Sequence, residues 1–301
     1  MSTQARGAAV LGIVGGSGVY DLAELEDARW ERVDSPFGTP SDELRVGRIG
    51  ETTVVFLPRH GRGHRIPPSE IDYRANIDAL KRMGVTDLVS VSACGSLRED
   101  LPPGSFILVD QYIDRTVGRD RSFFGTGCVA HVSLARPVCA RLAAEIAEAA
   151  GASGEDVVRG GTYLAMEGPQ FSSRAESELY RSWGCDVIGM TNLPEARLAR
   201  EAEICYASLA MVTDFDCWHD EHAEVAVADI VAVLSSNADR GRALVAALAR
   251  DAGERPVPCP EGCDRTLDTA IITAPEARDP AVVKRLDAVA GRVLGAPAGR
   301  G

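Results

Sequence analysis

Short apolar runs recur along this 301-residue chain and alternate with amphipathic stretches. The runs are rich in β-branched residues and bounded by glycine, proline or polar residues, a pattern typical of buried strands. They extend over Val10 to Val14, Thr53 to Leu57, Asp87 to Ser92, Phe106 to Tyr112, Asp186 to Gly189 and Ile204 to Val212. Helical patterns lie between several of them, over Ile71 to Met83, Pro137 to Ala150, Ser173 to Trp183 and Glu195 to Ala202. This alternation predicts an α/β fold with a largely buried sheet.

The C-terminal part of the chain departs from this alternation. A long helix is predicted from about Ala226 to Asp251, and the stretch from Gly253 to Pro258 is the best candidate for a linker. The residues beyond it form a tail too short for a core of its own, with a predicted helix over Pro280 to Leu294. We therefore expect a main domain over residues 8–252 and an extension over 253–301 that packs on that domain or on a neighbouring subunit.

Composition restricts the classes of function. The chain is 45% hydrophobic and 25% charged, which is ordinary for a globular protein, and its formal net charge is -12. No basic run or stripe of alternating basic and aromatic residues stands out, which argues against a nucleic-acid partner. The first residues lack the features of a signal peptide, and no apolar run is long enough to cross a membrane. We therefore expect a cytoplasmic protein with no membrane partner.

The eight cysteines are spread along the chain, mostly inside apolar segments, as Cys94, Cys185 and Cys205 are. Buried reduced thiols explain such positions best. Cys259 and Cys263 differ, because they lie four positions apart in a loop-like segment and could form a disulfide or half of a metal site. No second pair with zinc-ligand spacing accompanies them, which favours a structural or incidental role, and we expect no metal at the functional site.

Two carboxylates follow the last predicted strand of the main domain, in the segment from Thr213 to Asp216. Ligands of open α/β sheets bind beyond the carboxyl ends of the strands. Adenine offers N7 as an acceptor and its 6-amino group as a donor, and a protonated carboxyl group can donate to N7. Asp214 is therefore the first candidate for a proton donor. The alternative is that Asp216 caps a following helix and Asp214 lies at the surface.

Four further segments at predicted strand ends carry groups suited to an anion. A glycine loop presents backbone N–H groups, and arginine offers a forked donor. Taken singly, the glycine loop could be a flexible turn and the basic stretch a solvated loop, and the glycine spacing fits neither a dinucleotide fingerprint nor a Walker loop. Taken together, the four segments are better explained by one shared anion-binding site than by four unrelated loops. The segments are Gly15 to Gly18, Pro58 to Arg65, Ser92 to Ser96, and Thr191.

In this combination and order, the motifs resemble the trimeric purine nucleoside phosphorylase family. The resemblance runs from about Leu11 to Leu248, and Thr213 to Trp218 is most similar to the branch that cleaves S-methyl-5'-thioadenosine. It implies a single α/β domain with a central mixed, partly barrel-like β-sheet flanked by helices, and a homotrimer. The matching motifs are Val14 to Gly18, Arg59 to Gly61, Ser92 to Leu97, Glu167 to Glu176 and Met190-Thr191.

The resemblance also implies a reaction: inorganic phosphate, the co-substrate, converts S-methyl-5'-thioadenosine to adenine and 5-methylthio-α-D-ribose 1-phosphate, in purine and methionine salvage and without a cofactor. The catalytic positions it implies are Asp214 and Asp216. The phosphate would be held by Ser17, Arg59, His60, Ala93 and Thr191. The nucleoside would contact Ser92, Phe171, Met190, Thr213, Val225, Val227, Ile230 and, from an adjacent subunit, His131. Gln170 stands where several relatives carry arginine.

Three alternatives stay open. A phosphorylase for 6-oxopurine nucleosides or methylthioinosine is disfavoured by Asp214 and Asp216, because a carboxylate facing a 6-oxo group opposes two acceptors. A non-catalytic nucleoside-binding module would be expected to have lost a catalytic position. A nucleoside hydrolase would not need the Arg59-His60 phosphate cluster.

Overall fold

The computed structural model describes residues 5–16, 22, 24–219 and 227–295, with residues 227–232 and 234 described by their backbone alone. The strands in this part of the chain are Arg6–Ala8 (β1), Val10–Gly15 (β2), Glu26–Glu31 (β3), Leu44–Ile49 (β4), Thr52–Pro58 (β5), Asp87–Ser96 (β6), Phe106–Val109 (β7), Gln111–Arg115 (β8), Val157–Arg159 (β9), Thr162–Met166 (β10), Val187–Gly189 (β11), Cys205–Asp214 (β12) and Glu254–Pro256 (β13). The helices are Tyr73–Arg82 (α1), Ala140–Ala152 (α2), Arg174–Ser182 (α3), Asn192–Glu201 (α4), Val227–Asp251 (α5), Pro280–Arg285 (α6) and Asp287–Leu294 (α7). Short 3-10 helices lie at Pro68–Glu70, Asp216–Trp218, Cys263–Arg265 and Pro275–Ala277.

Eleven strands form one mixed sheet in which β6 is the branch point. The main path runs β3-β4-β5-β2-β6-β11-β10-β8, while β6 also pairs with β12, and β12 with β7. Starting from β6, the pairing continues through β11 and β10 to β8. Asp110 joins β8 to β7, and β7 leads back to β6 through β12, so these strands form a closed ring. This ring is the partly barrel-like part of the sheet, and the predicted mixed α/β fold is confirmed.

Helices cover both faces of the sheet, which explains the continuous apolar run in β12. Tyr206, Ala210 and Val212 point into the core shared with α1 and α4. Residues between them, such as Leu209 and Met211, point into the core shared with α2 and α5. Successive strand residues face opposite sides, so a strand buried on both sides carries apolar residues at nearly every position.

The C-terminal tail packs on the rest of the chain. Leu286 and Val289 lie in the same core as α1 and α4, and Cys259 lies in the core on the other face. The linker prediction for Gly253 to Pro258 was wrong, because the segment contains β13, which pairs antiparallel with β1. None of the described helices is both long and apolar enough to cross a membrane.

Several predicted boundaries need correction. The strand predicted from Phe106 to Tyr112 divides at Asp110, whose backbone N–H donates to the carbonyl of Gly161 at 3.1 Å. The helix predicted over Pro280 to Leu294 divides at Leu286 into α6 and α7. The edge strand β3 was missed because its sequence, Glu-Asp-Ala-Arg-Trp-Glu, is charged and mostly exposed and so lacks an apolar alternation.

Candidate active site

The carboxyl ends of β2, β5 and β6 meet at one edge of the sheet. Gly15 lies opposite Pro58 on one side and Val91 on the other. The backbone N–H of Arg59 donates to the carbonyl of Gly15 at 2.9 Å. The start of the glycine loop, the basic stretch and the segment after Val91 are therefore spatial neighbours, although they are far apart in sequence. Ser17, further along the loop, lies outside the described residues.

Arg59 is a buried arginine at this end of the strands, with 1% of its surface exposed. Its guanidinium donates to both carboxylate oxygens of Glu195, at 2.8 and 3.1 Å, and to the Ser90 hydroxyl at 2.6 Å. It also donates to the carbonyls of Val14 and Val91, each at 3.2 Å. Although burial opposes the charge, the Glu195 carboxylate holds the pKa of Arg59 above its ordinary value. Most of its five donors thus face protein groups, which leaves one N–H on Nη1 for a ligand.

Asn192 connects this ion pair to the next segment of the site. Its side-chain oxygen accepts from the hydroxyls of Ser90 and Ser92, each at 3.3 Å, and its amide donates to Ser208 at 2.6 Å. The preceding residue, Thr191, is the N-cap of α4 and makes no side-chain capping bond. Ser92 and Thr191 therefore lie at the same polar edge as Arg59.

Sequence reasoning missed Asn192 and Glu195. The signal for Glu195 was a single acid in the otherwise apolar Leu-Pro-Glu-Ala segment, since buried acids are rare unless they are paired. Asn192 offered no comparable signal, because asparagine is common at the start of a helix.

His60 is held as a neutral imidazole. Burial and the charge of Arg59 lower its pKa to about 4. Its Nδ1 lies 2.9 Å from the carbonyl oxygen of Ile66, and the ring stacks on His64 with centroids 4.2 Å apart. Because a carbonyl can only accept, Nδ1 must carry the proton, and Nε2 is left as an acceptor. His60 is thus suited to accept a hydrogen bond from a protonated anion.

Asp214 lies where β12 leaves the sheet. The pairing of β12 with β6 shifts register between Val212 and Asp214, which brings Asp214 opposite Gly95. The carboxylate accepts from the Thr213 hydroxyl at 2.8 Å and from the backbone N–H of Asp216 at 2.8 Å. Burial nevertheless raises the pKa of Asp214 above its ordinary value. A carboxyl in this setting holds its proton to higher pH than an exposed one.

Asp216 lies beside Asp214 and is the more deeply buried of the two acids. It is 4% exposed and has a left-handed backbone, with φ of 52°. Burial, supported by the charge of Asp214, raises the pKa of Asp216. The Ser177 hydroxyl of α3 faces this carboxyl group and partly offsets the rise. Asp214 therefore does not lie at the surface, as the alternative expected, while the acidic stretch after His219 that Asp216 was expected to cap lies outside the described residues.

Gly95 makes room for this pair. A Cβ atom at position 95 would lie 2.9 Å from the Oδ1 of Asp214 and 3.3 Å from the Cβ of Asp216. Both contacts are tighter than ordinary van der Waals separation, so glycine is required for the acids to sit where they do.

The segment from Gly168 to Ser172 places the aromatic ring of Phe171 near the two acids. The Cys217 thiol donates to the carbonyl of Ser172 at 3.2 Å, which joins this segment to the acid pair. Phe171, next to it, is 46% exposed, unusual for a large aromatic side chain. The sulfur of Met190 packs against Gly168, so closely that a Cβ there would lie 2.5 Å from it. Phe171 and Met190 therefore offer apolar surface beside the carboxyl groups.

The remaining candidates are not joined to this group by described contacts. His131 is exposed, and its backbone N–H donates to the carbonyl of Ala270 in the tail at 2.9 Å. Val225 lies outside the described residues. Val227 and Ile230 lie in α5, where the backbone alone is described. Ala93 lies within β6, between Ser92 and Gly95, and pairs with Met211 of β12.

Comparison with known proteins agrees with this geometry. A model of the phosphorylase superfamily matches residues 10–250. The S-methyl-5'-thioadenosine phosphorylases of Bradyrhizobium diazoefficiens and Cereibacter sphaeroides are 64% and 63% identical over 286 and 285 residues, covering 95% of this chain and 98% of each relative. The matched lengths exceed the 252 residues that precede the tail, so these relatives share at least part of it.

Solved structures show the same likeness. A methylthioadenosine phosphorylase from an antarctic soil metagenomic library has a TM-score of 0.86 at 44% identity, covering 94% of this chain and 99% of that chain. A methylthioadenosine phosphorylase from Schistosoma mansoni in complex with adenine has a TM-score of 0.76 at 38% identity, covering 80% of this chain and 91% of that chain.

Proposed function

Because this chain belongs to the phosphorylase superfamily and, within it, to the S-methyl-5'-thioadenosine phosphorylases, we propose that it cleaves S-methyl-5'-thioadenosine with inorganic phosphate. The products are adenine and 5-methylthio-α-D-ribose 1-phosphate, and the role is salvage of the purine and of the methylthio group. The observation that carries this proposal is the enclosed pair of acids, Asp214 and Asp216, beside an exposed aromatic ring at the sheet edge.

Asp214 acts on the leaving base. As the bond from C1' to N9 breaks, its electron pair passes into the purine, and Asp214 donates its proton to N7. The raised pKa keeps the carboxyl protonated to higher pH than an ordinary aspartic acid. Asp216 orients this carboxyl group and receives the hydrogen bond of the 6-amino group through a network. A 6-oxo group would leave two acceptors opposed there, which disfavours 6-oxopurine nucleosides.

The phosphate occupies the polar edge formed by the glycine loop, the basic stretch and Thr191. Thr191 and the backbone of Ala93 donate to its oxygens, and Arg59 contributes the one N–H that its protein partners leave. Neutral His60 accepts from the hydroxyl of a protonated phosphate through Nε2. A phosphate oxygen held in this way attacks C1' as positive charge develops on the ribose.

The nucleoside is enclosed by apolar surface and by a neighbouring subunit. Phe171 stacks on the purine, and Met190 covers the ribose. We assign the 5'-methylthio group to Val225, Val227 and Ile230, with His131 of an adjacent protomer, in a homotrimer. The exposure of both His131 and Phe171 in the single chain supports that assembly. The free state of all eight cysteines supports a reducing compartment such as the cytoplasm.

Base release by the purified protein tests the proposal. Methylthioadenosine, adenosine, inosine and methylthioinosine are each incubated with and without phosphate. We expect phosphate-dependent release of adenine, fastest from methylthioadenosine. Preference for a 6-oxopurine would overturn the assignment of the two acids, release without phosphate would indicate a hydrolase, and no turnover would indicate a binding module.

A further inference from the structure

Four cysteines from distant parts of the sequence meet in the interior of the protein, away from the candidate active site. Their sulfur atoms all lie within 4.8 Å of one another, and each residue is buried. The other two cysteines of the cluster are Cys139 and Cys205. They do not form a recognisable pair in the sequence, because the whole of α2 to α4 lies between them. We propose that these four thiolates bind one structural zinc ion.

The distances fit a tetrahedral metal site better than disulfides. A zinc–sulfur bond of about 2.3 Å places the corners of a tetrahedron about 3.8 Å apart. The sulfur atoms of Cys139 and Cys259 are 3.8 Å apart. A disulfide requires about 2.05 Å between its sulfur atoms, and all four cysteines are free. The four donors are soft thiolates and leave no open position, which is the composition of a structural zinc site.

The tail supplies a turn suited to two ligands. Cys259-Pro260-Glu261-Gly262-Cys263 has the short spacing of a zinc-binding loop. Gly262 has a left-handed backbone with φ of 67°, and its N–H donates to the carbonyl of Cys259 at 2.9 Å. The backbone N–H of Cys259 donates to Asp264 at 3.0 Å. These bonds hold both thiols of the loop toward the same point.

The surroundings compensate the negative charge that a zinc tetrathiolate carries. Arg255 donates to the sulfur of Cys205 at 3.4 Å, and Arg200 donates to the sulfur of Cys263 at 3.5 Å. Arg255 also pairs with Asp264, which fixes its position. Cys139 is the N-cap of the 13-residue helix α2 and makes no side-chain capping bond, so the positive end of the helix dipole favours its thiolate.

The position of the cluster indicates a structural role. Cys205 begins β12, and Asp214 ends the same ten-residue strand, so the two lie about 30 Å apart along it. The ion would join the tail, α2 and the central strand at the end of the sheet opposite the candidate active site. A zinc ion that cross-links these three segments stabilises the fold without taking part in the reaction.

Metal analysis of the full-length protein tests this proposal. The protein is produced in zinc-supplemented medium and purified without chelator, and metal is measured by inductively coupled plasma mass spectrometry. We expect about one zinc per chain. Unreduced denaturing mass spectrometry should show all eight thiols, and cobalt substitution should give the visible absorption of a tetrahedral tetrathiolate. Chelation by a strong zinc ligand under mild denaturation should lower the melting temperature.

Variants locate the site. Cys259→Ser should lose most of the bound zinc, while Cys185→Ser, which removes a buried thiol outside the cluster, should retain it. Cys259→His keeps a zinc ligand and should restore metal binding. Wild-type protein that carries no zinc and takes up no cobalt would overturn the proposal regardless of how the variants fold. So would a mass showing a disulfide among the four cysteines, or zinc that Cys259→Ser retains.

Discussion

Replacement of Asp214 by asparagine removes the proposed proton donor with little change of shape. The amide oxygen can still accept from the backbone N–H of Asp216, and the amide nitrogen can donate to the Thr213 hydroxyl. The asparagine side chain therefore makes as many hydrogen bonds as the carboxylate did. We therefore expect a stability change within about 1 kcal/mol. A positioned general acid contributes about 10²–10⁴-fold to a rate, which corresponds to about 3–5 kcal/mol of transition-state free energy.

The assay is kcat/KM for methylthioadenosine at saturating phosphate, followed by base release across the pH range. The wild-type rate should fall as pH rises through the raised pKa of Asp214, because the protonated form is the donor. Asp214→Asn should be about 100-fold slower or more and should lack that decline. The control is Asp34→Asn, the same change at an exposed carboxylate. Unchanged adenine release, or an unchanged pH profile in Asp214→Asn, would remove Asp214 from the mechanism.

Three further predictions concern residues around and beyond the acids. Glu195→Gln leaves the buried charge of Arg59 without its partner and should cost about 3–5 kcal/mol of unfolding free energy in urea titrations; a loss under 1 kcal/mol would show that the pair does not support the fold. Gly95→Ala should lower kcat on methylthioadenosine while the melting temperature falls little, because the new methyl group displaces the Asp214 carboxyl group; full activity would contradict the close fit. Burial raises the pKa of Glu201 from 4.5 to about 7. The protonated side chain therefore stabilises the fold below pH 4.5, and this stabilisation is lost as the pH rises to 7. The free energy of unfolding should fall by about 3 kcal/mol over that range. Glu201→Gln should flatten this dependence in denaturant titrations at pH 5 and pH 8, and equal slopes in both proteins would refute it.

The local pattern of the chain was sufficient for the α/β class and for most buried elements. Val10–Gly15 and Cys205–Asp214 were recognisable because strands covered on both faces are apolar at nearly every position. Arg174–Ser182 was recognisable from its helical pattern, and the structure adds a capping box in which Ser173 and Glu176 bond reciprocally. The edge strand Glu26–Glu31 was not, because its exposed residues carry no apolar period.

By itself, the sequence determined which chemical groups stand at the ends of strands, since a buried strand and the polar residues after it are local features. The tertiary structure alone decided which groups meet. Arg59 faces Glu195, 136 positions away, because two strand ends and a helix are packed together. Cys139 lies beside Cys259, 120 positions away, for the same reason. Such contacts depend on strand register and helix packing between distant segments, which no periodicity within one segment encodes.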